Sequence, residues 1–303
     1  MNLRQWSTNL EKIRKCIPAN KQETKQEARL LGLWWNTATD TIHLQPPKLI
    51  ETKKPTLRII IKNAARVFEP LGIVAPITIC AKIISQHRPI CSLQLELDDK
   101  LPPNIVQEWK ALQNDYKRVP QISIARHLPC NEMTTIHAIS DASHKAYGFS
   151  IYQRVEFHDH IEVNLVFAKA RVAPTCKLMI PKLELSAATT ATHALKFIAN
   201  SIASFTTIPM TLWCDSKCTL SRIHSTKILP TFEEHCVQKI RQLPNLQCRY
   251  VPSSSNPADH ALEDLALIIS SNQTGYAVPN FWNCHRTNGR NSTSPIMRKS
   301  TRI

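Results

Sequence analysis

Four acidic residues stand where apolar runs end or helical patterns begin. Asp141 breaks off the strand-like run "TTIHAIS", and Asp215 closes "MTLWC" ahead of Ser216 and a helical pattern. Glu184 falls in the first turn of a long helical pattern at 182–203, and Asp259 opens another in "NPADHALED". Carboxylates gathered at one place repel, which costs stability unless a cation sits among them. Oxygen-only ligands favour Mg²⁺ or Mn²⁺. Two such ions about 3.5–4 Å apart clamp a phosphodiester, one activating water and the other steadying the leaving oxygen. Each acid also has a plainer reading. Strand-ending aspartates cap turns, Asp215 and Asp259 suit helix N-termini, and Glu184 suits a solvated first turn.

The element order decides between these readings. Strand patterns occupy 134–140, 146–154 and 161–171, followed by the helix at 182–203. A strand at 210–215, helices at 216–225 and 231–243, a strand at 246–251 and a helix at 257–270 complete the series. Three consecutive strands suggest an antiparallel meander, and strands alternating with helices suggest parallel pairing after it. The expectation is an α/β fold with a mixed five-stranded sheet. Its first and fourth strands would be parallel neighbours, bringing Asp141 and Asp215 together at the end where open sheets bind ligands.

The first half has a different rhythm. Residues 1–30 are polar with helical character, and "LGLWWNTATDTIHL" at 31–44 reads as a β-hairpin with Trp34 and Trp35 on opposite faces. Residues 56–88 read as two helices, with Thr56 as N-cap of the first and Pro76 in the first turn of the second. A helix is expected at 104–118, then a linker with a short extended piece up to 130. The division is thus 1–130, 132–270 and a basic tail, 271–303, expected to be disordered.

The 303-residue chain carries a formal charge of +15, which points to a polyanion such as nucleic acid. Lys169, Arg171, Lys177 and Lys182 flank the acids and are the candidates for phosphate contacts. Lys53, Lys54 and Arg58 are read as a solvated face, with contact to the hybrid as the alternative; His144 and His260 lie near the acids. With 5 glycines and no GxGxxG or GxxxxGK[ST], a glycine-cradled nucleotide is not expected. The ten cysteines show no CxxC and read as small buried hydrophobes in a reducing, intracellular setting, cytoplasmic or nuclear. No apolar run reaches the roughly 18 residues of a membrane span.

At these residues the chain resembles a known family. "SDASHKAYGFSIY", "AKARVAPTCKLMIPKLELSAA", "LWCDSKCTLSRIHS" and "RYVPSSSNPAD" are similar to the ribonuclease H region of Bel-Pao retrotransposon polyproteins. "LRQWSTN", "LLGLWWNTATDTI" and "AARVFEPLGIVAPITICAKIISQ" resemble the segment joining that family's reverse transcriptase to its ribonuclease H. The resemblance implies a ribonuclease H-like fold for 132–270, preceded by a mostly helical thumb or connection segment with a β-hairpin. It implies hydrolysis of the RNA strand of an RNA–DNA hybrid with Mg²⁺ or Mn²⁺. The family's metal-binding acids fall on Asp141, Glu184, Asp215 and Asp259. Remaining segments of a retroelement polyprotein are implied partners, and the Tyr-x-Asp-Asp polymerase motif would lie upstream of Met1.

Two other readings stay open. After "NPAD" the chain reads "HALEDLA", where the family continues with a Leu-Ala-Ser-Arg-Gly type sequence. That departure suits an inactive retroelement fragment binding nucleic acid through charge. The family region is also called a retrotransposon peptidase. An aspartic peptidase needs Asp-Thr-Gly or Asp-Ser-Gly, and "CDSK" places Lys217 where the glycine would stand, which disfavours proteolysis.

Overall fold

The computed structural model describes residues 6–256, apart from 24, 31–32, 45–48, 69, 87–94, 120, 177, 203–204, 206 and 254–255. Asp259, His260, the expected helix at 257–270 and the tail lie outside the described residues, as does Lys177.

The hairpin read at 31–44 is the middle of a larger sheet. Strands β1 (Glu27–Leu30), β2 (Leu33–Asn36), β3 (Thr41–Leu44) and β4 (Ile122–Ala125) pair in that order, all antiparallel. Two expectations are corrected here. Residues 27–30 are strand, and helix among the described residues before them is the short α1 (Glu11–Cys16) and a 3₁₀ turn at Ala19–Lys21. The extended piece in the expected linker is β4, whose partner β3 lies some eighty residues earlier in the chain. The β2–β3 turn forms because the Asn36 side-chain oxygen accepts from the amides of Ala38 and Thr39, and Asp40 takes positive φ (53°). Trp34 lies under the Arg29 guanidinium at 4.8 Å, and Trp35 under that of Arg126 at 5.2 Å.

Among the described residues, three helices lie between β3 and β4: α2 (Leu57–Arg66), α3 (Ala75–Ser85) and α4 (Pro103–Arg118). Pro76 and Pro103 sit in first turns, where a missing N–H costs nothing. Thr56 occupies the N-cap of α2, although its side chain makes no capping bond. Ile60, Ile84, Ile105 and Trp109 close one core between these helices; Ile42, Ile73, Ile77 and Ile122 close another against the sheet.

The second sheet has the expected topology. Strands β5 (Thr135–Ala142), β6 (Ala146–Glu156), β7 (Ile161–Val172), β8 (Met210–Cys214) and β9 (Leu246–Tyr250) lie in the order β7-β6-β5-β8-β9. The first two junctions are antiparallel and the β5–β8 and β8–β9 junctions parallel. Helix α5 (Ile180–Ser201) lies on one face, where Leu185, Ala188, Ala191 and Leu195 pack on Ile136, Ala138, Ile151 and Leu212. Each fully buried leucine contributes about 1.5–3 kcal/mol. Thr189 and Thr192 enter this apolar helix because their hydroxyls donate to the carbonyls of Leu185 and Ala188. Helices α6 (Lys217–His224) and α7 (Thr231–Arg241) complete the layer. The opposite face gathers Ile139, Tyr152 and Ala168.

The two halves meet at Gly72. The Ala168 amide of β7 donates to the Leu71 carbonyl at 2.9 Å, and Gly72 takes φ +80°. A Cβ on Gly72 would stand 1.7 Å from the Ala168 carbonyl oxygen, so only glycine permits this approach.

The cysteines depart from expectation. Cys16, Cys130, Cys176 and Cys218 are exposed, and among the described cysteines only Cys214 and Cys236 are buried, all eight being free thiols. Among the described residues, no helix is long and apolar enough to cross a membrane.

Candidate active site

Strands β5 and β8 run parallel with Ser140 opposite Cys214, so Asp141 and Asp215 follow at the same level. Asp141 lies within the strand, opposite Gly148 of β6, and is buried. Alternation puts it on the face of Ile139, away from α5. Asp215 comes directly after β8. Its Oδ2 accepts from the Ser253 hydroxyl at 2.9 Å, which ties it to the loop after β9. Ser216, next in the chain, is the N-cap of α6, its Oγ accepting from the Thr219 amide at 3.2 Å. The capping role open to Asp215 thus belongs to its neighbour.

Glu184 is not in a first turn. Pro181 starts the helix earlier, at Ile180, and so places Glu184 in the second turn. There it is half-buried, and its Oε2 accepts from the Thr219 hydroxyl at 3.4 Å. The Arg222 guanidinium donates to the Pro181 carbonyl at 3.1 Å, locking α6 to the start of α5. Burial pushes the Glu184 carboxyl above the usual carboxylate range, and the negative charge of Asp215 adds to it. Hydrogen bonds from Ser216 and Thr219 and the charge of Arg222 oppose the rise without cancelling it.

The structure therefore brings Glu184 within reach of the Asp215 charge and sets Asp141 at the level of Asp215, one strand away. Among the described residues, no three His, Cys, Asp or Glu side chains converge as a group able to hold one ion. The chemistry of the donor set still fits a hard divalent cation: it is all carboxylate, and a cation would relieve the strain on Glu184.

The basic candidates separate. Lys169 and Arg171 are exposed on edge strand β7, opposite Phe149 and Tyr147. Lys182 is engaged by α7: its ammonium lies 3.8 Å from Glu233 and 5.6 Å from the Phe232 ring centre. Sequence reasoning missed Lys217 and Arg249, whose charges lie 5.4 Å over Tyr250 and 5.9 Å over Trp213. Both residues adjoin the end of β8, and the signal available was their position next to "CDS" and inside "CRY". The orienting hydroxyls of Ser216, Thr219 and Ser253 were missed as well.

Comparison with curated proteins gave no match. Among solved structures, the chain is similar to the foamy viral protease-reverse transcriptase in complex with double-stranded DNA. The TM-score is 0.47 at 13% identity, over 74% of this chain and 38% of that one. The chain thus spans 38% of the length of that viral protein chain. It is also similar to RNase H1 from the halophilic archaeon Halobacterium salinarum NRC-1. There the TM-score is 0.29 at 14% identity, over 40% of this chain and 89% of that one. LC11-RNase H1 in complex with an RNA/DNA hybrid matches with TM-score 0.29 at 13% identity, over 41% and 89%. A family model described as the Pao retrotransposon-like RNaseH-like domain matches residues 56–216, a span that contains Asp141, Glu184 and Asp215. That span is more than half of the 303 residues, and the chain belongs to the Pao retrotransposon RNaseH-like family.

Proposed function

We propose that the chain is a ribonuclease H-type nuclease that hydrolyses the RNA strand of RNA–DNA hybrids. One observation carries this reading. Asp141 and Asp215 stand at one level on adjacent parallel strands, and Glu184 of α5 lies within reach of the Asp215 charge. Asp141, Glu184, Asp215 and Asp259 would hold Mg²⁺ or Mn²⁺, which when bound supplies an activated water and stabilises the leaving oxygen. The protein's own share is orientation. Ser253 fixes one oxygen of Asp215, while Ser216 and Thr219 hold the Glu184 carboxylate. Lys169 and Arg171, on edge strand β7 and on the sheet face opposite to Asp141, supply phosphate contacts farther along the duplex. The partner is the hybrid, and further polyprotein segments extend the same reading.

The test is cleavage of a labelled RNA–DNA hybrid with Mg²⁺ by the wild type and by Asp141→Asn. The expected result is RNA-strand cleavage lost in the variant; equal cleavage by both removes the reading.

A second reading rests on a different observation, the departure after "NPAD", where the chain reads "HALEDLA". On it, the chain is an inactive retroelement fragment that binds nucleic acid through charge alone. It predicts salt-sensitive binding and no metal-dependent cleavage.

A further inference from the structure

A groove of about 450 Å³ opens between the 51–53 segment and α4, lined by Glu51, Thr52, Lys53, Lys110, Gln113, Asn114 and Lys117. Lys110, Gln113, Asn114 and Lys117 follow one another at helical three- and four-residue spacings, so they form one stripe along α4. The opposing segment is anchored. The Ile50 amide donates to Asn63 Oδ1 at 2.7 Å and its carbonyl accepts from Asn63 Nδ2 at 3.1 Å. Asn63 is itself 1% exposed, so these bonds are shielded from water. Lys117 pairs with Glu51 at 2.8 Å and holds the segment against the helix.

That pair leaves the groove with a surplus of positive charge. Lys53 and Lys110 are exposed, and among the described residues neither has an ion-pair partner. The remaining lining groups, Thr52, Gln113 and Asn114, can all donate hydrogen bonds. Unpaired ammonium groups beside neutral donors, with the one carboxylate already neutralised, recognise an oxyanion. The exposed side chains of Lys53, Lys110 and Asn114 along its length suit a chain of phosphates over a single enclosed one.

We propose that the groove between residues 51–53 and α4 binds the phosphate backbone of a nucleic-acid strand, as an anchor separate from the acids of the second sheet. It requires neither a metal ion nor cleavage, so its success or failure is independent of the nuclease reading. Each lysine that neutralises a phosphate steepens the salt dependence of binding by close to one unit.

The experiment measures binding of a fluorescent hybrid duplex to the full chain in EDTA across a salt series. The wild type is compared with Lys53→Gln/Lys110→Gln and with a control, Lys12→Gln/Lys15→Gln, on the exposed face of α1. The expected result is a slope of log affinity against log salt shallower by about 2 in the groove variant and unchanged in the control. Circular dichroism melting should be the same for all three. An unchanged slope in the groove variant, or an equal loss in the control, overturns the proposal. So does polyglutamate displacing the duplex from the wild type at equal charge but not from the groove variant, which would assign the groove to an acidic protein.

Discussion

Glu184 of α5 is held within reach of the Asp215 charge by a shared neighbour, Thr219, whose amide caps onto Ser216 and whose hydroxyl donates to Glu184. A single residue of α6 thereby ties Glu184 to Ser216, the residue next to Asp215. The cost falls on Glu184, whose carboxyl is pushed up by burial first and by Asp215 second. A carboxyl with a raised folded pKa supports the fold below its unfolded pKa, and that support is lost as pH rises through the folded value. Glu184→Gln keeps an acceptor for Thr219 and removes the charge. The variant is therefore expected to melt above the wild type at pH 7 in EDTA, with the gain fading as pH falls through the raised folded value and absent below about 4. Mg²⁺ should raise the melting temperature of the wild type more than that of the variant. A variant that melts lower at pH 7 would contradict the repulsion.

Gly72 is the second point at which one residue decides the geometry. Its φ of +80° and the 1.7 Å approach of a hypothetical Cβ to the Ala168 oxygen leave no room for alanine. Gly72→Ala must therefore push the Leu71 turn off β7 and break its bond to the Ala168 amide. The expected loss is about 3 kcal/mol in denaturant unfolding. Ala168→Gly adds space only on the side chain of its own residue and should not rescue it, because the clash is with backbone.

The first sheet is closed by an ion pair that spans 86 residues. Asp40 accepts from Arg126 Nε at 2.6 Å and from a second guanidinium nitrogen at 3.0 Å, and also from Trp35 Nε1 at 2.8 Å. Hydrogen bonding from Arg126 holds the Asp40 carboxyl below the usual range. A depressed folded pKa gives stability that is present above the unfolded value and lost as pH falls through the folded one. Asp40→Ala is expected to cost about 1–2 kcal/mol at pH 7. It should also flatten the fall in wild-type stability below about pH 4. An unchanged acid profile would show that the pair does not contribute.

How far these features can be read from the chain depends on how local they are. Strands β5 to β9 and helices α5 to α7 are marked by apolar runs bounded by polar turns, and the parallel placing of Asp141 beside Asp215 follows from element order alone. Strand β4 has only four residues, and its partner Thr41–Leu44 lies across three helices, so nothing nearby in "ISIA" announces pairing. The position of Glu184 turned on where the helix starts: Pro181 sets the first turn, and the pattern of apolar residues begins only after it. The engagement of Lys182 was invisible because Glu233 comes from a helix that meets α5 only in the fold. The exposed cysteines were misjudged on residue type, because a cysteine's burial follows its place on a strand or loop, as Cys214 in β8 and Cys176 after β7 show.

That engagement separates the basic residues around the acids into two kinds. Glu233 is 4% exposed, and its described partner is the Lys182 ammonium at 3.8 Å. Lys182→Gln strands a buried carboxylate, so it is expected to lower stability by about 1–2 kcal/mol while leaving the salt slope of hybrid binding unchanged. Lys169 and Arg171 stand exposed on edge strand β7, where surface substitutions usually move stability by no more than about 0.5 kcal/mol. Lys169→Gln/Arg171→Gln should therefore melt like the wild type and bind with a salt slope shallower by about 2. Fluorescence binding across a salt series, with melting curves on the same samples, distinguishes the two kinds. A shallower slope for Lys182→Gln would mean that its ammonium leaves Glu233 for phosphate, and would return it to the nucleic-acid face.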